Sequence, residues 1–243
     1  FNFRVAGTGE RRHTVKSLTN LSPLAQRLWA WGCATAVVVA IFMMSVDIPL
    51  ALYFHSYRDT EWANFFAAIT DFANGAIWYV LAVLGIGTAY LRRKILTDRP
   101  DLAQLAKEVR AWLFMIVTMA TSGIFINVLK FSVGRERPRF LFRDGTSDFH
   151  PFALRIADCA FPSGHTQSIW TAMLCLSLLF PKGRALFIPV AVLISASRFI
   201  IGAHYLSDVV ASIFIAAAFT LLWRRWFERD SVAVALQAPA TQP

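Results

Sequence analysis

Six long apolar runs limit what this chain can fold into. They cover residues 28–54, 76–91, 111–131, 166–180, 185–201 and 209–223 of the 243. A helix that crosses the hydrocarbon core of a bilayer needs about 20 predominantly apolar residues, and these runs approach or exceed that length. Hydrophobic residues make up 56% of the chain, which is too apolar for an ordinary soluble domain. We therefore expect an all-α, polytopic membrane protein, a bundle of six transmembrane helices in a single domain over residues 1–243.

The first apolar run carries a helix-start signal and one carboxylate. Ser22 suits the N-cap position and Pro23 the first helical position, so the first helix is predicted to begin there. Asp47 lies near the far end of the run. A carboxylate within a transmembrane segment often marks a functional site. We expect Asp47 instead to lie at the membrane interface, without a functional role.

The segment 60–74 differs from the six runs. Its aromatic and aliphatic residues recur at helical spacing, with Glu61, Asn64 and Asp71 between them. This pattern predicts a short amphipathic helix that lies on the membrane surface. A loop buried against the bundle is the alternative.

The Lys and Arg residues indicate the orientation. They cluster before the first run, between the second and third, between the fourth and fifth, and after the sixth. If six helices alternate, all four clusters fall on one side, which the positive-inside rule makes cytoplasmic. The basic N-terminal segment 1–22 and a flexible tail 227–243 are then cytoplasmic. We expect the protein to lie in a bacterial inner membrane. The net charge of +9 is explained by this topology, so we expect no nucleic-acid partner.

The remaining composition predicts no cofactor and no metal. Cys33, Cys159 and Cys175 show no spacing typical of a disulfide framework or a zinc site. We expect no cleavable signal peptide, because the first apolar run begins too far into the chain and is too long.

Three short stretches carry the candidate chemistry: 130–138 (KFSVGRERP), 161–165 (FPSGH) and 197–208 (SRFIIGAHYLSD). In the first, Lys130 and Arg137 suit phosphate as a point charge and a bidentate fork. Gly134 permits a tight bend, and Pro138 fixes the backbone after Arg137. Taken alone, these residues would be interpreted as a lysine that extends to the interface and a solvated loop with Arg135 and Arg139.

The other two stretches add a helix start and two histidines. Ser163 and Gly164 open the fourth helix, where unpaired N–H groups favour an anion, and His165 is within reach as a proton donor. Arg198 ends the fifth helix, and Gly202 makes the turn. His204 and Asp208 then share one face of the sixth helix, so the carboxylate can hold one imidazole nitrogen protonated. Alone, this pair would be a structural hydrogen bond.

The order K-x6-RP, PSGH, SR-x5-H-x3-D over residues 130–208 resembles the type 2 phosphatidic acid phosphatase (PAP2) superfamily, in its integral-membrane lipid phosphatase branch. The resemblance implies that Lys130, Arg137 and Arg198 bind phosphate oxygens with backbone N–H groups near Ser163 and Gly164. It also implies roles for three further residues. His204 would be the nucleophile that forms a phosphohistidine, Asp208 its supporting partner and His165 the general acid. No metal would be required.

The substrate implied is a phosphomonoester or pyrophosphate of a membrane lipid, bound on the periplasmic or exterior face. Lipid A or its precursors, undecaprenyl pyrophosphate, phosphatidylglycerol phosphate and phosphatidate are candidates. The loop 139–160 is long for a helix connection and is a candidate selectivity element. A phosphotransferase that passes the same phosphohistidine to a lipid remains an alternative, and a non-catalytic transporter or scaffold is another. No obligatory protein partner is evident.

Overall fold

The computed structural model describes residues 22–96 and 102–237, which form nine α-helices joined by turns and three short 3₁₀ helices. The α-helices are α1 Pro23–Ser45, α2 Asp47–His55, α3 Glu61–Ile69, α4 Gly75–Leu96, α5 Leu102–Val133, α6 Pro138–Asp144, α7 Gly164–Leu179, α8 Arg184–Ile200 and α9 Leu206–Gln237. The predicted all-α membrane class is confirmed.

Five of the described stretches are long and apolar enough to cross a membrane: Pro23–Ser45, Gly75–Arg92, Leu102–Val133, Pro181–Ile200 and Leu206–Glu228. The remaining predicted span corresponds to α7, which has 16 residues. Six helices is therefore an approximate count. Although short, α7 is the central helix of the bundle and packs against α4, α5, α8 and α9. Its buried side chains include Ile169, Ala172 and Cys175.

The first predicted span is divided in two. As predicted, α1 begins with Pro23, and the Ser22 hydroxyl accepts a hydrogen bond from the Ala25 N–H at 3.4 Å. The helix ends at Ser45, and α2 begins at Asp47. The carboxylate of Asp47 lies in the first turn of α2, where the helix dipole favours negative charge.

Segment 60–74 is helical, as α3 followed by the 3₁₀ helix Thr70–Ala73, so the alternative of a loop is wrong. Both elements pack against α8. The location of α3 on the membrane surface stays a prediction. At the other end of the chain, α9 continues to Gln237 and includes the first part of the predicted tail. The basic segment 1–22, apart from Ser22, and residues 238–243 lie outside the described residues.

The bundle has one basic end and one motif end. At the basic end, Arg92 pairs with Glu108 at 2.9 Å, and Arg110 donates a hydrogen bond to the Phe227 carbonyl at 2.8 Å. At the motif end, α5 and α8 finish while α7 and α9 begin. The alternation of the helices therefore brings the three sequence stretches together, although they are separated along the chain.

Candidate active site

Lys130 lies in the last turn of α5 and is only 5% exposed, so it is not a lysine that extends into solvent. Its Nζ donates hydrogen bonds to the carbonyls of Cys159 and Ala160, at 2.7 and 3.3 Å. These carbonyls fix the ammonium group between the end of α5 and the approach to α7. A buried lysine held by neutral oxygens keeps most of its charge available for an anion.

The bend after Lys130 depends on Gly134, as predicted. Its φ is +61°, and a Cβ atom there would lie 1.7 Å from the His150 carbonyl oxygen. The His150 N–H in turn donates to the Gly134 carbonyl at 2.8 Å. This close backbone pairing attaches the 139–160 segment to the first motif.

Arg137 follows the bend and occupies the N-cap position of α6, which begins with Pro138. Burial, with the nearby charge of Arg139, lowers the pKa of Arg137. Its Nε is buried and has no hydrogen-bond partner in residues 22–96 and 102–237. An incompletely paired, partly desolvated guanidinium suits an oxyanion, which would satisfy both its charge and its donors.

Ser163 is the N-cap of α7, as predicted, and its Oγ accepts hydrogen bonds from the N–H and the hydroxyl of Thr166. The Ser163 N–H donates to the Asp208 carbonyl at 3.3 Å, so the starts of α7 and α9 are joined. A Cβ atom on Gly164 would meet nothing within 4 Å, which means that open space lies beside the helix start. His165, half-buried, is within electrostatic range of Arg198, Arg137 and Lys130.

His204 lies in the turn between α8 and α9 and not in a helix. The prediction that His204 and Asp208 share one face of a helix is therefore wrong. The turn is nevertheless well defined. Gly202 has a φ of +68°, and the Arg198 carbonyl accepts the N–H groups of Ala203 and His204 at 3.0 Å each. Asp208 is close to His204 in space, since His204 Nδ1 lies 3.6 Å from Asp208 Oδ2. This distance exceeds that of a hydrogen bond, and Nδ1 has no hydrogen-bond partner among the described residues.

The imidazole of His204 is 2% exposed and lies among the candidate phosphate ligands. Burial lowers the pKa of His204 well below its ordinary value, and the charges of Lys130, Arg137 and Arg198 lower it further. The lowered pKa favours the neutral form of the ring. A neutral imidazole has a lone pair on one nitrogen, which a nucleophile requires.

Arg198, 6% exposed, is held by an element that the sequence motifs do not contain. Its Nη1 donates a hydrogen bond to the Thr70 hydroxyl, at the start of the 3₁₀ helix after α3. The neighbouring Ser197 hydroxyl is 2.9 Å from the same Thr70 oxygen. A threonine on an amphipathic helix gave no sequence signal for this role.

Two charged residues around the site are buried, which the sequence did not indicate. Asp47, expected at the membrane interface without a functional role, is 1% exposed, and Arg135, which taken alone would lie in a solvated loop, is 2% exposed. Arg135 Nη2 pairs with Asp47 Oδ2 and Arg135 Nη1 with Asp208 Oδ1, each at 2.9 Å. Arg135 therefore pairs with two carboxylates. These partners lie 88 and 73 residues away in sequence, so no local spacing could reveal them.

Within the described part of the chain, no group of three or more His, Cys, Asp and Glu side chains is arranged to hold a metal ion. The polar groups that converge are the three cations, the two histidines and Asp208.

Comparison with known proteins gives a family and two relatives for this chain. The PAP2 superfamily model matches residues 111–231. A lipid A 1-phosphatase of Rhizobium etli is 30% identical over 188 residues, covering 77% of this chain and 80% of that protein. A lipid A 1-phosphatase of Rhizobium johnstonii is 36% identical over 218 residues, covering 90% and 87%.

A solved structure has the same fold. It is the transmembrane PAP2 type phosphatidylglycerolphosphate phosphatase of Bacillus subtilis, with a TM-score of 0.60 and 19% identity over 84% of this chain and 96% of that one. At this identity the likeness concerns the fold alone. The motif order, the two relatives and the shared architecture agree, and the chain therefore belongs to the PAP2 superfamily, in its integral-membrane lipid phosphatase branch.

Proposed function

We propose that this protein removes the 1-phosphate of lipid A through a phosphohistidine on His204. The observation that carries the proposal is the environment of His204, a buried imidazole with Nδ1 3.6 Å from Asp208 Oδ2 and with a pKa that is lowered by burial and by the charges of three cations. Phosphoryl transfer depends mainly on positioning and on the stabilisation of charge spread over the phosphate oxygens. Lys130, Arg137 and Arg198 supply that charge, and the N–H groups at the start of α7 add to it.

The roles follow from the geometry and from proton balance. Because Asp208 faces Nδ1 of His204, that nitrogen carries the proton and Nε2 attacks phosphorus. The bond from phosphorus to the lipid oxygen breaks, and His165 donates a proton to this oxygen. Water then attacks the phosphohistidine and gives one proton to His165. The N–P bond breaks, which releases inorganic phosphate and restores neutral His204.

The substrate is inferred from the relatives and from the apolar surroundings of the site. Both relatives described above are named for the 1-phosphate of lipid A. A cavity of about 410 Å³ lies between α4, α5 and α7 and is bounded by Tyr79, Met119, Ile124 and Gly164. Ile124 is 65% exposed, on a face that a bilayer would cover. A lipid could therefore reach the start of α7 from within the membrane.

Three cations remove the need for a metal to neutralise the phosphate, so we propose metal-independent hydrolysis. The site would lie on the periplasmic face of the inner membrane, opposite the basic end of the bundle. Aromatic and aliphatic side chains on α1, such as Trp29, Ile41 and Met44, are exposed and would contact lipid.

The test is phosphate release by the purified protein from lipid A phosphorylated at position 1. Phosphate release from undecaprenyl pyrophosphate, phosphatidylglycerol phosphate and phosphatidate is measured for comparison. His204→Ala is the inactive control. Activity should persist in EDTA and fall with vanadate, which adopts the five-coordinate geometry of phosphoryl transfer. Loss in EDTA that magnesium restores would refute metal independence. Phosphate transferred to an added lipid, instead of released, would identify a phosphotransferase.

A further inference from the structure

A buried ionic cluster lies directly behind His204 and is formed by Asp47, Arg135 and Asp208. Their side chains are at most 3% exposed. One guanidinium binds two carboxylates, through Nη2 to Asp47 and through Nη1 to Asp208. The guanidinium also lies 4.0 Å from the centroid of the Tyr205 ring. The cluster joins the start of α2, the bend after α5 and the start of α9.

We propose that Arg135 and Asp47 are positioning residues that act through Asp208 to orient and support the His204 nucleophile. This inference rests on the proposed function. Neither residue touches the phosphate in the mechanism above, and neither was assigned a role by the sequence motifs.

Asp208 shows how the positioning works, because its two oxygens have different partners. Oδ1 accepts a hydrogen bond from Arg135 Nη1 at 2.9 Å. Oδ2 accepts the Tyr205 N–H at 2.8 Å and is the oxygen that faces His204 Nδ1 at 3.6 Å. Arg135 thus prevents rotation of the carboxylate and keeps Oδ2 directed to the imidazole. It also favours the ionised form of Asp208, which must stabilise the positive ring once His204 carries the phosphoryl group.

Asp47 in turn fixes Arg135 and the start of α9. Its Oδ1 accepts the Ser207 N–H at 3.0 Å, and its Oδ2 accepts the Ser207 hydroxyl as well as Arg135 Nη2. Asp47 therefore caps a helix that begins 159 positions later, at Leu206. If Asp47 lost its charge, Arg135 would have Asp208 as its only carboxylate partner in the cluster. The guanidinium could then bind both oxygens of Asp208 and draw Oδ2 away from His204.

A purely structural role would not require charges here. A buried ion pair seldom stabilises a protein more than well-packed apolar residues of similar size would. The arrangement of two carboxylates on one arginine, with the second carboxylate in contact with the nucleophile, is instead typical of the residues that orient a catalytic group.

The test is a double-mutant cycle on phosphate release and on phosphoenzyme formation. The single variants are Asp47→Asn, Arg135→Lys and Asp208→Asn. The two double variants combine Asp208→Asn with Asp47→Asn or with Arg135→Lys. Matched controls are Asp59→Asn and Arg58→Gln, which remove the two members of an exposed ion pair in the turn between α2 and α3. Thermal unfolding of each purified variant and its binding of vanadate are measured in parallel.

We expect Asp47→Asn and Arg135→Lys each to lower kcat by about 10–100-fold, by analogy with the range found for residues that orient metal ligands, with little change in KM or vanadate affinity. In the Asp208→Asn background the same changes should cost less than about threefold, because the group through which they act is already altered. Both controls should behave as the wild type.

Full additivity in the cycle, or losses that follow the unfolding temperature instead of Asp208, would overturn the inference. So would variants that fail to fold in both the Asp47 and the Arg135 series, since the cluster would then be structural. An active wild type with Asp47→Asn equal to the Asp59→Asn control would refute this inference alone. A wild type that releases no phosphate from any lipid would refute the proposed function instead.

Discussion

Arg198 donates a hydrogen bond to the Thr70 hydroxyl, across 128 positions of the sequence. Arg198 belongs to the third motif, whereas Thr70 begins the 3₁₀ helix that follows the amphipathic helix α3. The hydroxyl therefore contacts one end of a buried guanidinium. The segment predicted to lie on the membrane surface is thus in direct contact with a candidate phosphate ligand.

Thr70→Val should weaken phosphate binding while the fold is kept, because valine has the shape of threonine without the hydroxyl. The loss of one hydrogen bond to a charged group corresponds to about tenfold in affinity. We expect the vanadate inhibition constant and KM to rise by about that factor. Thr70→Ser, which retains the hydroxyl, should stay near the wild type. Equal effects of the two substitutions would show that the hydroxyl does not position Arg198.

His204→Ala should abolish both turnover and phosphoenzyme formation, since no other group can take the place of the attacking nitrogen. Asp208→Asn should leave a slow enzyme that still forms the phosphoenzyme, because the carboxylate orients the ring and does not attack. Single-turnover measurements with labelled lipid phosphate separate these cases. A His204→Ala protein with a near-normal rate would disprove the assignment of the nucleophile.

The protonation of His204 can be measured directly. Burial and three cations lower its pKa, so protonation requires a pH below the ordinary histidine value of 6.5. The ring should therefore remain neutral at pH 6, where an ordinary histidine is mostly charged. Histidine-selective ¹⁵N NMR of the detergent-solubilised protein tests this, with His204→Ala to assign the signal. A midpoint at or above 6.5 would contradict the proposed environment.

The sequence predicted the motif residues of the candidate site more completely than the residues that hold them in place. Motif residues such as Ser163 and Gly134 have local signatures, a helix start and a tight bend, and the structure has both features. The apolar runs predicted the spans because hydropathy is also a local property. Local signals were therefore sufficient to predict which residues converge.

The supporting residues were missed because their role depends on distant partners. Asp47 at the end of an apolar run has the same pattern whether it faces the interface or a buried arginine. Only its contact with Ser207, 160 positions away, distinguishes the two. The apolar run 166–180 is about as short as α7, which has 16 residues. A central helix packed on several sides by other helices can be shorter than one that faces lipid along its length.

The orientation of the bundle is a further prediction that the Lys and Arg distribution makes. Both termini should be cytoplasmic. A reporter fused after Trp226 should be active only if it is a type that functions in the cytoplasm. Fusions in the turn between α2 and α3, near Arg58 and Asp59, should give the opposite result. A periplasmic signal at the first position would place the motif end in the cytoplasm and overturn the proposed location of the site.

The last prediction separates the two histidines by the leaving group. If His165 protonates the departing oxygen, its contribution should be large when that oxygen is strongly basic. General-acid assistance is typically worth about 10²–10⁴-fold, and a nitrophenolate needs little of it. His165→Ala should therefore be severely impaired on a lipid alkyl phosphate and much less on p-nitrophenyl phosphate. A glycosyl phosphate such as that of lipid A should lie between these limits, and a pyrophosphate should resemble the nitrophenyl ester.

The matched comparison is His204→Ala, which should be inactive on every substrate, because a better leaving group does not replace a nucleophile. The measurement is the ratio of kcat/KM between mutant and wild type across the series. His165 is half-buried and feels the charges of Arg198, Arg137 and Lys130, which also allows a second role, in which it only binds phosphate. That role would lower kcat/KM by the same factor for all leaving groups, whereas proton donation requires a loss that grows with the basicity of the departing oxygen.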